Sequence, residues 1–482
     1  MKIKSEDCFY NILCLSKVKG MNMSINMKMQ VKLDQLMEKL TCLFKYCYII
    51  HILLAFNTLF VDKSILNVTS GFVFMLGTVC VLYRLLYIKN YIRYPFAILY
   101  VIFLLLFGLS CMFNAHYGVL NNMKIFIWMT FQFGLLYTFD LKRNEEKVKE
   151  EFQISVFIII GITSVMNLIS MLMLFANYCD YCILDDGRSF LIGVAYWGRL
   201  YGIHTDPNYG SVLSVIALIS GIYFCITSEK MWMRILMLIS VALQAMFIIF
   251  SVSRTGLVTT CVCTFIFSFI YSLHGKKKII YACIVSMIAV IAVVIVDKGV
   301  IMSYNYAIIQ IVEAENDKDS SEKEEIVKIG REEELQEDVS NRRFELWKNA
   351  IEITKTSPVV GVSFGNFISY AKKNLPGCYM VSNGFTVFNA FHNMFMDLIA
   401  SQGIIGFIMF IGIMIASLCY LIRYYKNISE KNKLACIFLF SACSSIVVSS
   451  LFVSQILYVN NQITVLFWIL WGFLIYFVKK GE

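Results

Sequence analysis

The chain has 482 residues, of which 59% are hydrophobic and 16% are charged, and its formal net charge is +9. Soluble proteins are about 45–50% apolar and about 25% charged, so this composition excludes a water-soluble enzyme. The 4 prolines and 26 glycines exclude collagen-like and low-complexity architectures. A membrane-spanning helix needs about 20 mostly apolar residues, and the chain has room for many. We therefore predict an all-α polytopic integral membrane protein whose positive charge belongs to cytoplasmic loops, without nucleic-acid binding.

Apolar runs predict twelve transmembrane helices. Residues 1–45 form the expected cytoplasmic N-terminal segment, which lacks the features of a cleaved signal peptide, so we expect nothing to be removed. The long tenth span contains Gly403, Gly406 and Gly412, and we expect it to be tilted or bent. Helices 1–9 occupy residues 46–296, and helices 10–12 with a short cytoplasmic C-terminus occupy residues 392–482. The runs lie near residues 46–60, 65–83, 95–114, 118–138, 153–175, 210–227, 232–250, 255–273, 279–296, 392–421, 434–455 and 462–478.

The lysines and arginines between the spans support this topology. Cytoplasmic loops carry an excess of these residues, and the segments predicted to lie inside hold most of them. The short outside loops hold only Lys63, Arg188, Arg199 and Arg254. The alternation persists at each crossing, which favours twelve spans with both ends of the chain in the cytoplasm.

Two predicted outside segments are longer than a turn. They comprise about residues 176–209 and 297–391. Within the second, residues 313–338 form an acidic insertion with few apolar side chains, for which we expect a solvated helix or a disordered chain.

The stretch after the insertion, residues 341–357, predicts an amphipathic helix that lies back on the bundle. Ser340 or Asn341 is expected to cap it and Pro358 to end it. Its apolar side is expected to consist of Phe344, Trp347, Ile351 and Ile353.

We assign no catalytic or metal-binding role to two short patterns. Cys179-x-x-Cys182 has no second pair and no neighbouring histidine, so we expect ordinary thiols, with a local disulfide as the alternative if the loop is extracytoplasmic. Asp317-Lys318-Asp319 imitates a metal-nucleotide motif but lies within the acidic run on the wrong side of the membrane, so we interpret it as coincidence. No nucleotide-binding loop or metal-ligand cluster is found, and we expect neither a cofactor nor a metal.

Four polar clusters border the spans on the predicted outer face. Charged groups near hydrocarbon are costly, which makes these clusters candidates for function. The convergence of four clusters on one face weighs more than any one of them. Their patterns are R-x-x-G-x-x-x-D-P-N at residues 199–208, S-x-S-R at 251–254, R-x-x-L-W at 343–347 followed by P-x-x-G-x-x-x-G-N-F at 358–367, and H-N-x(9)-G-x-x-G at 392–406.

Each cluster also has a plain structural explanation. Arg254 alone would be an ordinary interfacial arginine, and His392 alone an interfacial histidine. Asp206 or Asn208 would cap the sixth span. Arg343 is harder to explain in this way, because the helix dipole opposes a cation in the first turn of a helix.

Together the motifs resemble the O-antigen ligase and polysaccharide polymerase family of bacterial envelopes, in the family's order and spacing. The specific part of the resemblance covers residues 199–406, and the first 150 residues are similar in topology alone. Ser363 stands where a glycine is usual in the family. The acidic insertion is longer than the resemblance leads us to expect.

The resemblance implies a metal-independent, multi-span glycosyltransferase. Such an enzyme takes an oligosaccharide from undecaprenyl pyrophosphate at the outer face and passes it to an acceptor glycan. Arginine forks match phosphate oxygens, so Arg199 and Arg254 are expected to hold the donor pyrophosphate and Arg343 to assist. His392 has a suitable pKa range to take the acceptor's proton. Asp206 would orient an arginine or a sugar, and the other supporting residues are expected to be Asn208, Ser253, His204 and Asn393.

The branches of the family remain open. We favour a polymerase of lipid-linked repeat units for capsular, exo- or O-antigen polysaccharide, because the composition suggests an AT-rich genome and disfavours a lipopolysaccharide acceptor. The alternatives are a ligase with a lipid or protein acceptor, a flippase for lipid-linked sugars, and a structural or sensor protein. The main charges inside spans, Lys124 and Asp397, lie near the outside ends, unlike a flippase path. Other expected partners are the lipid bilayer and further polysaccharide-assembly membrane proteins.

Overall fold

The computed structural model describes residues 6–185, 187–275, 278–316, 327–330, 342–384 and 387–482, without the side chains of residues 6–28 and 311–316. Over these ranges the chain is an all-α polytopic membrane protein with one small sheet. Most of the acidic insertion, including the Asp317-Lys318-Asp319 pattern, lies outside the described residues. The same applies to Ser340 and Asn341, the expected caps of the amphipathic helix.

Sixteen α-helices are described. They are α1 (Glu6–Ala55), α2 (Ser64–Leu86), α3 (Ile88–Tyr91), α4 (Ala97–Phe113), α5 (Leu120–Phe131), α6 (Glu145–Phe175), α7 (Pro207–Thr227), α8 (Met231–Phe250), α9 (Arg254–His274), α10 (Ile279–Asn316), α11 (Arg343–Thr356), α12 (Phe367–Asn374), α13 (Tyr379–Ser382), α14 (Met394–Tyr424), α15 (Glu430–Ser449) and α16 (Gln462–Gly481). A π-helical turn, Gln132–Tyr137, continues α5. Short 3-10 turns occupy Ala115–Tyr117, Phe364–Asn366 and Tyr425–Asn427.

In the described part of the chain, nine helices are long and apolar enough to cross a membrane: α2, α6 to α10 and α14 to α16. The other three predicted spans correspond to shorter apolar helical segments, namely the end of α1, α4, and α5 with its π-helical turn. Each of the twelve predicted runs therefore overlaps a helix.

Three boundaries differ from the prediction. The expected N-terminal segment and the first span belong to one helix, α1, whose polar first part continues directly into the apolar part. α10 extends beyond the predicted end at residue 296 to Asn316. α15 ends at Ser449 rather than at residue 455, and the Gln455 side-chain amide donates a hydrogen bond of 3.0 Å to the Ile446 carbonyl in its last turn.

The bundle is built around α16. Every residue from Gln462 to Val478 is buried, as expected for a helix that is apolar on all sides. Trp468 packs edge-to-face against Tyr100 and Phe133 at 5.1 and 4.7 Å between ring centroids. Its indole nitrogen donates a hydrogen bond of 2.7 Å to the Ile456 carbonyl, so the central helix also fixes the segment that precedes it.

The long span α14 is bent at Gly403, as its glycines indicate. Gly403 has φ 62° and ψ −165°, and a Cβ atom there would lie 2.4 Å from the Val359 carbonyl oxygen. The break frees backbone groups that pair with residues 358–363. Val362 and Ser363 donate to the carbonyls of Ala400 and Ser401 at 2.9 and 3.0 Å. The second half of the third motif and the backbone around Gly403 in the fourth thus form one backbone-paired unit.

The amphipathic helix predicted at residues 341–357 is α11, and it packs on α14. It begins after Arg342, which has φ 60° and provides no side-chain cap. The predicted apolar side is wrong at two positions, because Phe344 and Ile351 are 65% and 46% exposed. A stripe at helical spacing is buried in their place, formed by Leu346, Asn349, Ala350 and Ile353.

The segment at residues 176–209, predicted to lie outside, contains an antiparallel sheet that its sequence did not indicate. Its strands are β1 (Cys179–Ile183), β2 (Ser189–Ala195) and β3 (Arg199–Gly202), in that order. Cys179 and Cys182 are three steps apart on β1, about 10 Å along an extended strand. A disulfide needs Cα atoms within about 7 Å, so the local bridge held open as an alternative does not fit this strand, and both thiols are free.

Candidate functional site

The four motif clusters lie at one end of the bundle, which we call the site end. It comprises residues 199–210, 251–256, 342–347, 389–397 and 450–461. β3 delivers the first cluster, the α8–α9 turn the second, the start of α11 the third and the start of α14 the fourth. The contacts described below connect these segments in space.

Arg199, Asn208, Ser251 and Ser253 form a polar junction, here called the arginine junction. The Arg199 guanidinium donates through Nε to the Ser251 carbonyl at 2.8 Å and through Nη2 to Asn208 Oδ1 at 2.7 Å. The Ser253 hydroxyl donates to the same Asn208 oxygen at 2.9 Å. Arg199 is only 6% exposed. One amide oxygen therefore joins the first and second motifs.

The turn that carries Arg254 is strained. Val252 has φ 46°, a conformation that is unfavourable for a β-branched residue and that clusters at functional sites. Ser253 caps α9 by accepting a hydrogen bond from the Gly256 amide at 3.1 Å. This cap makes Arg254 the first residue of α9, where its side chain is half-buried.

Asp206 caps α7, as its plain structural explanation predicts. Its carboxylate accepts hydrogen bonds from the amides of Asn208 at 2.7 Å and Tyr209 at 3.2 Å, and Pro207 opens the helix. Proline suits this position because it needs no amide partner there. The cap fixes the backbone of Asn208 and, with it, the centre of the arginine junction.

His392 is half-buried at the entry to α14 and has φ 51°. Asn393 follows as the helix cap and accepts from the Phe395 amide at 2.9 Å. Burial lowers the pKa of His392, the Asp206 carboxylate opposes this effect, and the Arg343 charge lowers the pKa further. The lowered pKa favours the neutral imidazole, and the two charges that shift this pKa come from the first and third motifs.

Arg343 reaches the site end from the first turn of α11. Its guanidinium carbon lies 5.9 Å from the centre of the Phe452 ring, a distance typical of a cation–π contact. Phe452 belongs to the segment between α15 and α16. The sequence analysis did not identify Phe452, because it stands within an apolar run that was assigned to a span.

That segment, residues 450–461, contributes several groups that the sequence analysis missed. Ile456 and Tyr458 have φ of 77° and 61°, which marks a second strained stretch at the site end. The Asn461 amide donates to the Ser454 carbonyl at 3.2 Å and helps to hold the fold of the loop. The signal in the sequence is the interruption of the apolar run by Ser450, Ser454, Gln455, Asn460 and Asn461.

Ser363, at the position where the resembled family has glycine, also has a positive φ, 66°. The serine is buried, and its hydroxyl lies 3.0 Å from that of Ser110 on α4. The backbone keeps the geometry that favours glycine, and the hydroxyl finds a polar partner in the bundle.

His204, expected among the supporting residues, lies in the interior. It is fully buried, with Nε2 2.9 Å from Asn167 Oδ1 and its ring 4.4 Å from that of Phe247. Burial lowers the pKa of His204 to about 3, so it stays neutral. These contacts pack His204 inside the bundle.

A cavity of about 370 Å³ opens beside His392. Its walls come from the start of α5, the turn at Phe364, the stretch before His392 and the 450–461 segment. Over the described ranges, no group of three or more His, Cys, Asp and Glu side chains is placed to hold a metal ion. The polar groups at this end include arginines, amides, hydroxyls, the carboxylate cap Asp206 and the imidazole of His392 beside the cavity.

Comparison with known families gives a match over part of the chain. Residues 235–411 match the family model described as O-antigen ligase. The matched range contains the second, third and fourth motifs and supports a protein of the O-antigen ligase and polymerase family. This family assignment supports a glycosyltransferase-like enzyme of ligase or polymerase type that is embedded in a bacterial membrane and acts on lipid-linked glycan. No curated protein matches the chain.

Proposed function

Since residues 235–411 carry an O-antigen ligase family domain, we propose that the chain polymerises lipid-linked oligosaccharide repeat units. The donor is a glycan on undecaprenyl pyrophosphate, and the acceptor is a hydroxyl of another repeat unit. The observation that carries this proposal is the placement of a neutral His392 beside a cavity, under the opposing charges of Asp206 and Arg343.

We assign the donor pyrophosphate to the arginines of the site end. Negative charge develops on the pyrophosphate as it leaves, and fixed positive groups stabilise that charge most effectively in a water-poor site. Arg254 stands at the start of α9, where the helix dipole also favours an anion. Arg199 binds from the arginine junction, where Asn208 and Ser253 set its orientation. Arg343 approaches from the first turn of α11.

His392 acts as the general base. The acceptor oxygen bonds to the anomeric carbon of the donor sugar, and the bond from that carbon to the pyrophosphate oxygen breaks. The acceptor proton passes to the imidazole, and the electron pair of the broken bond leaves with the pyrophosphate. Asp206 stabilises the imidazolium that forms, since it raises the pKa of His392. Asn393 fixes the backbone beside the base through its cap.

Neither a metal nor a cofactor enters this mechanism. The donor carries its own leaving group, and the arginines supply the positive charge that its departure requires. We further propose that the site end faces away from the cytoplasm in the bacterial cytoplasmic membrane, because the lysine-rich loops belong to the opposite end.

A ligase is the second candidate, and the description of the matched family favours it. Purified protein supplied only with lipid-linked repeat units separates the two. A polymerase yields products spaced by one repeat. A ligase yields none until a distinct lipid or protein acceptor is added, and a flippase moves the substrate across a vesicle membrane without lengthening it.

A further inference from the structure

The cavity beside His392 is separate from the donor arginines. Its volume, about 370 Å³, lies within the range of about 300–1,000 Å³ found for small-molecule sites. His392 lines it, whereas Arg199, Arg254 and Arg343 do not. The His392 imidazole thus lines the cavity and is also subject to the charges of Asp206 and Arg343. The cavity therefore lies where an acceptor would enter.

The walls of the cavity have the composition of a sugar site. Phe364 and Tyr458 stack with their ring centroids 5.2 Å apart and their planes at 16°. The hydroxyls of Tyr458 and Tyr209 are held by protein partners at 2.6 and 2.9 Å, which fixes both rings. The exposed amides of Asn121 and Asn389 stand at the rim. Flat apolar rings next to amide groups suit a pyranose, which has C–H faces and a circle of hydroxyls.

One charged side chain of the wall has no role in the proposed reaction. Lys124 lies in the second turn of α5 and lines the cavity. Its neighbours Leu120 and Met123 are 75% and 54% exposed, as expected for lipid-facing residues. Among the described residues Lys124 has neither a hydrogen bond nor an ion pair. Lys124 is itself exposed and lines the cavity, so its ammonium is accessible to an anion that enters there.

Two carboxylates of the site end are committed elsewhere. Asp206 caps α7, and Asp397 accepts a hydrogen bond of 2.8 Å from the Phe391 amide. The structure therefore offers Lys124 to an anion that is not part of the described protein.

We propose that the cavity is the acceptor subsite and that Lys124 binds a negatively charged substituent on the acceptor sugar. The substituent is of the carboxylate class, as in a uronic acid. This inference rests on the proposed function, because it assigns the acceptor to the cavity beside the base. The acceptor would then be an acidic glycan whose reactive hydroxyl meets His392 while its carboxylate meets Lys124.

A second possible source of the anion is the pyrophosphate of the lipid carrier. We assign the carrier's pyrophosphate to the arginines, since guanidinium forks match phosphate oxygens. The Lys124 ammonium is then assigned to the sugar. The two sources predict different inhibition. The competitor is undecaprenyl pyrophosphate without sugar. If the sugar supplies the anion, this competitor inhibits wild type and Lys124→Gln equally. If the carrier supplies the anion, it inhibits Lys124→Gln more weakly than wild type.

The test uses purified full-length protein and the lipid-linked oligosaccharide extracted from membranes of the host. Lys124→Gln should weaken binding and raise KM by about 10- to 100-fold, because it removes one hydrogen bond to a charged group. We expect kcat to change little. Lys124→Arg keeps the charge and should stay near wild type. Lys348→Gln, an exposed lysine on α11, is the matched control, and melting temperatures show whether each variant is folded.

Mass spectrometry of the extracted oligosaccharide gives an independent result. An acidic sugar at the end distant from the lipid supports the inference, and a neutral sugar there overturns it. Unchanged binding and KM in Lys124→Gln, with a product ladder from wild type, overturn the inference and leave the polymerase intact. If the oligosaccharide does not bind to wild type at all, the proposed function fails and this inference fails with it.

Discussion

Asp206 raises the pKa of His392 while its carboxylate caps α7, so one side chain serves both the first motif and the fourth. Arg343 acts on the same imidazole in the opposite direction. Burial lowers the pKa of the proposed base, and charged residues of the first and third motifs then shift this pKa in opposite directions.

The first prediction concerns pH. A general base works when it is neutral, so activity should fall as the pH drops below the pKa of His392. Asp206→Asn keeps a good helix cap but removes the charge that raises this pKa, so the acidic limb of the rate profile should move to lower pH. Arg343→Gln removes a charge that lowers the pKa and should move the limb to higher pH.

The measurement is kcat/KM against pH for both variants and wild type. Their absolute rates will differ because Arg343 also serves the donor, but the position of the limb does not depend on that loss. If both variants keep the wild-type limb, these charges do not tune the base.

The second prediction tests the arginine junction. Asn208 Oδ1 accepts hydrogen bonds from Arg199 and Ser253, and Asn208→Ala leaves the guanidinium without its positioning partner. A hydrogen bond to a charged group contributes about 1.5–3 kcal/mol, so kcat/KM should fall by about 10- to 100-fold. Asn427→Ala, exposed at the opposite end of the bundle, should be neutral. Wild-type kinetics in Asn208→Ala would show that Arg199 needs no such support.

The third prediction concerns the bend in α14. Gly403→Ala places a Cβ 2.4 Å from the Val359 carbonyl oxygen at φ 62°. A residue held in such a conformation costs about 1–3 kcal/mol, and the clash adds to this, so the melting temperature in detergent and the activity should both fall. Gly412→Ala, in the same helix with open space around it, should leave the melting temperature unchanged or slightly raised. Equal melting temperatures for the two variants would contradict the paired-backbone unit.

The fourth prediction addresses the opposite end of the bundle. Glu151 is buried between Lys45 at 2.9 Å and Arg143 at 2.7 Å, and Arg143 also pairs with Glu38 at 2.8 Å. Removal of one partner of a buried ion pair costs about 3–5 kcal/mol, because a charge stays buried without compensation. Glu151→Gln should thus lower the melting temperature strongly while activity per folded molecule persists.

The matched control for this variant is Glu150→Gln, an exposed neighbour on the same helix. It should melt like wild type. If Glu151→Gln also melts like wild type, the buried ion pairs do not stabilise the bundle.

The sequence alone predicted the helices best, because long apolar runs have few alternatives in a membrane. It also indicated a cap at Asp206 or Asn208 and a bend in the span that contains Gly403, Gly406 and Gly412, since aspartate before proline and glycine within a helix have strong local preferences. The structure places the cap at Asp206 and the bend at Gly403. Local preferences do not predict contacts between segments that are distant in the sequence. Asn208 joins Arg199 to Ser253 across separate elements, and no spacing in the sequence indicates this junction.

Two further failures have the same physical origin. His204 and His392 are both histidines beside helix starts, yet tertiary packing buries the first against Asn167 and leaves the second at the cavity. Phe452 stands in an apolar run that was predicted to be a span, and Tyr458 lies between that run and the next. Their positions depend on a non-helical segment held by the Trp468 and Asn461 side chains, which hydropathy does not reveal.

The most direct test of the account is the product ladder formed by purified protein from lipid-linked repeat units alone, compared between wild type and His392→Gln. Glutamine retains hydrogen-bonding capacity but cannot accept the proton, and general-base catalysis contributes about 10²–10⁴-fold. We predict a ladder spaced by one repeat for wild type and a rate at least about 100-fold lower for a folded His392→Gln variant. A His392→Gln variant that extends chains at the wild-type rate would contradict the assignment of His392 as the base.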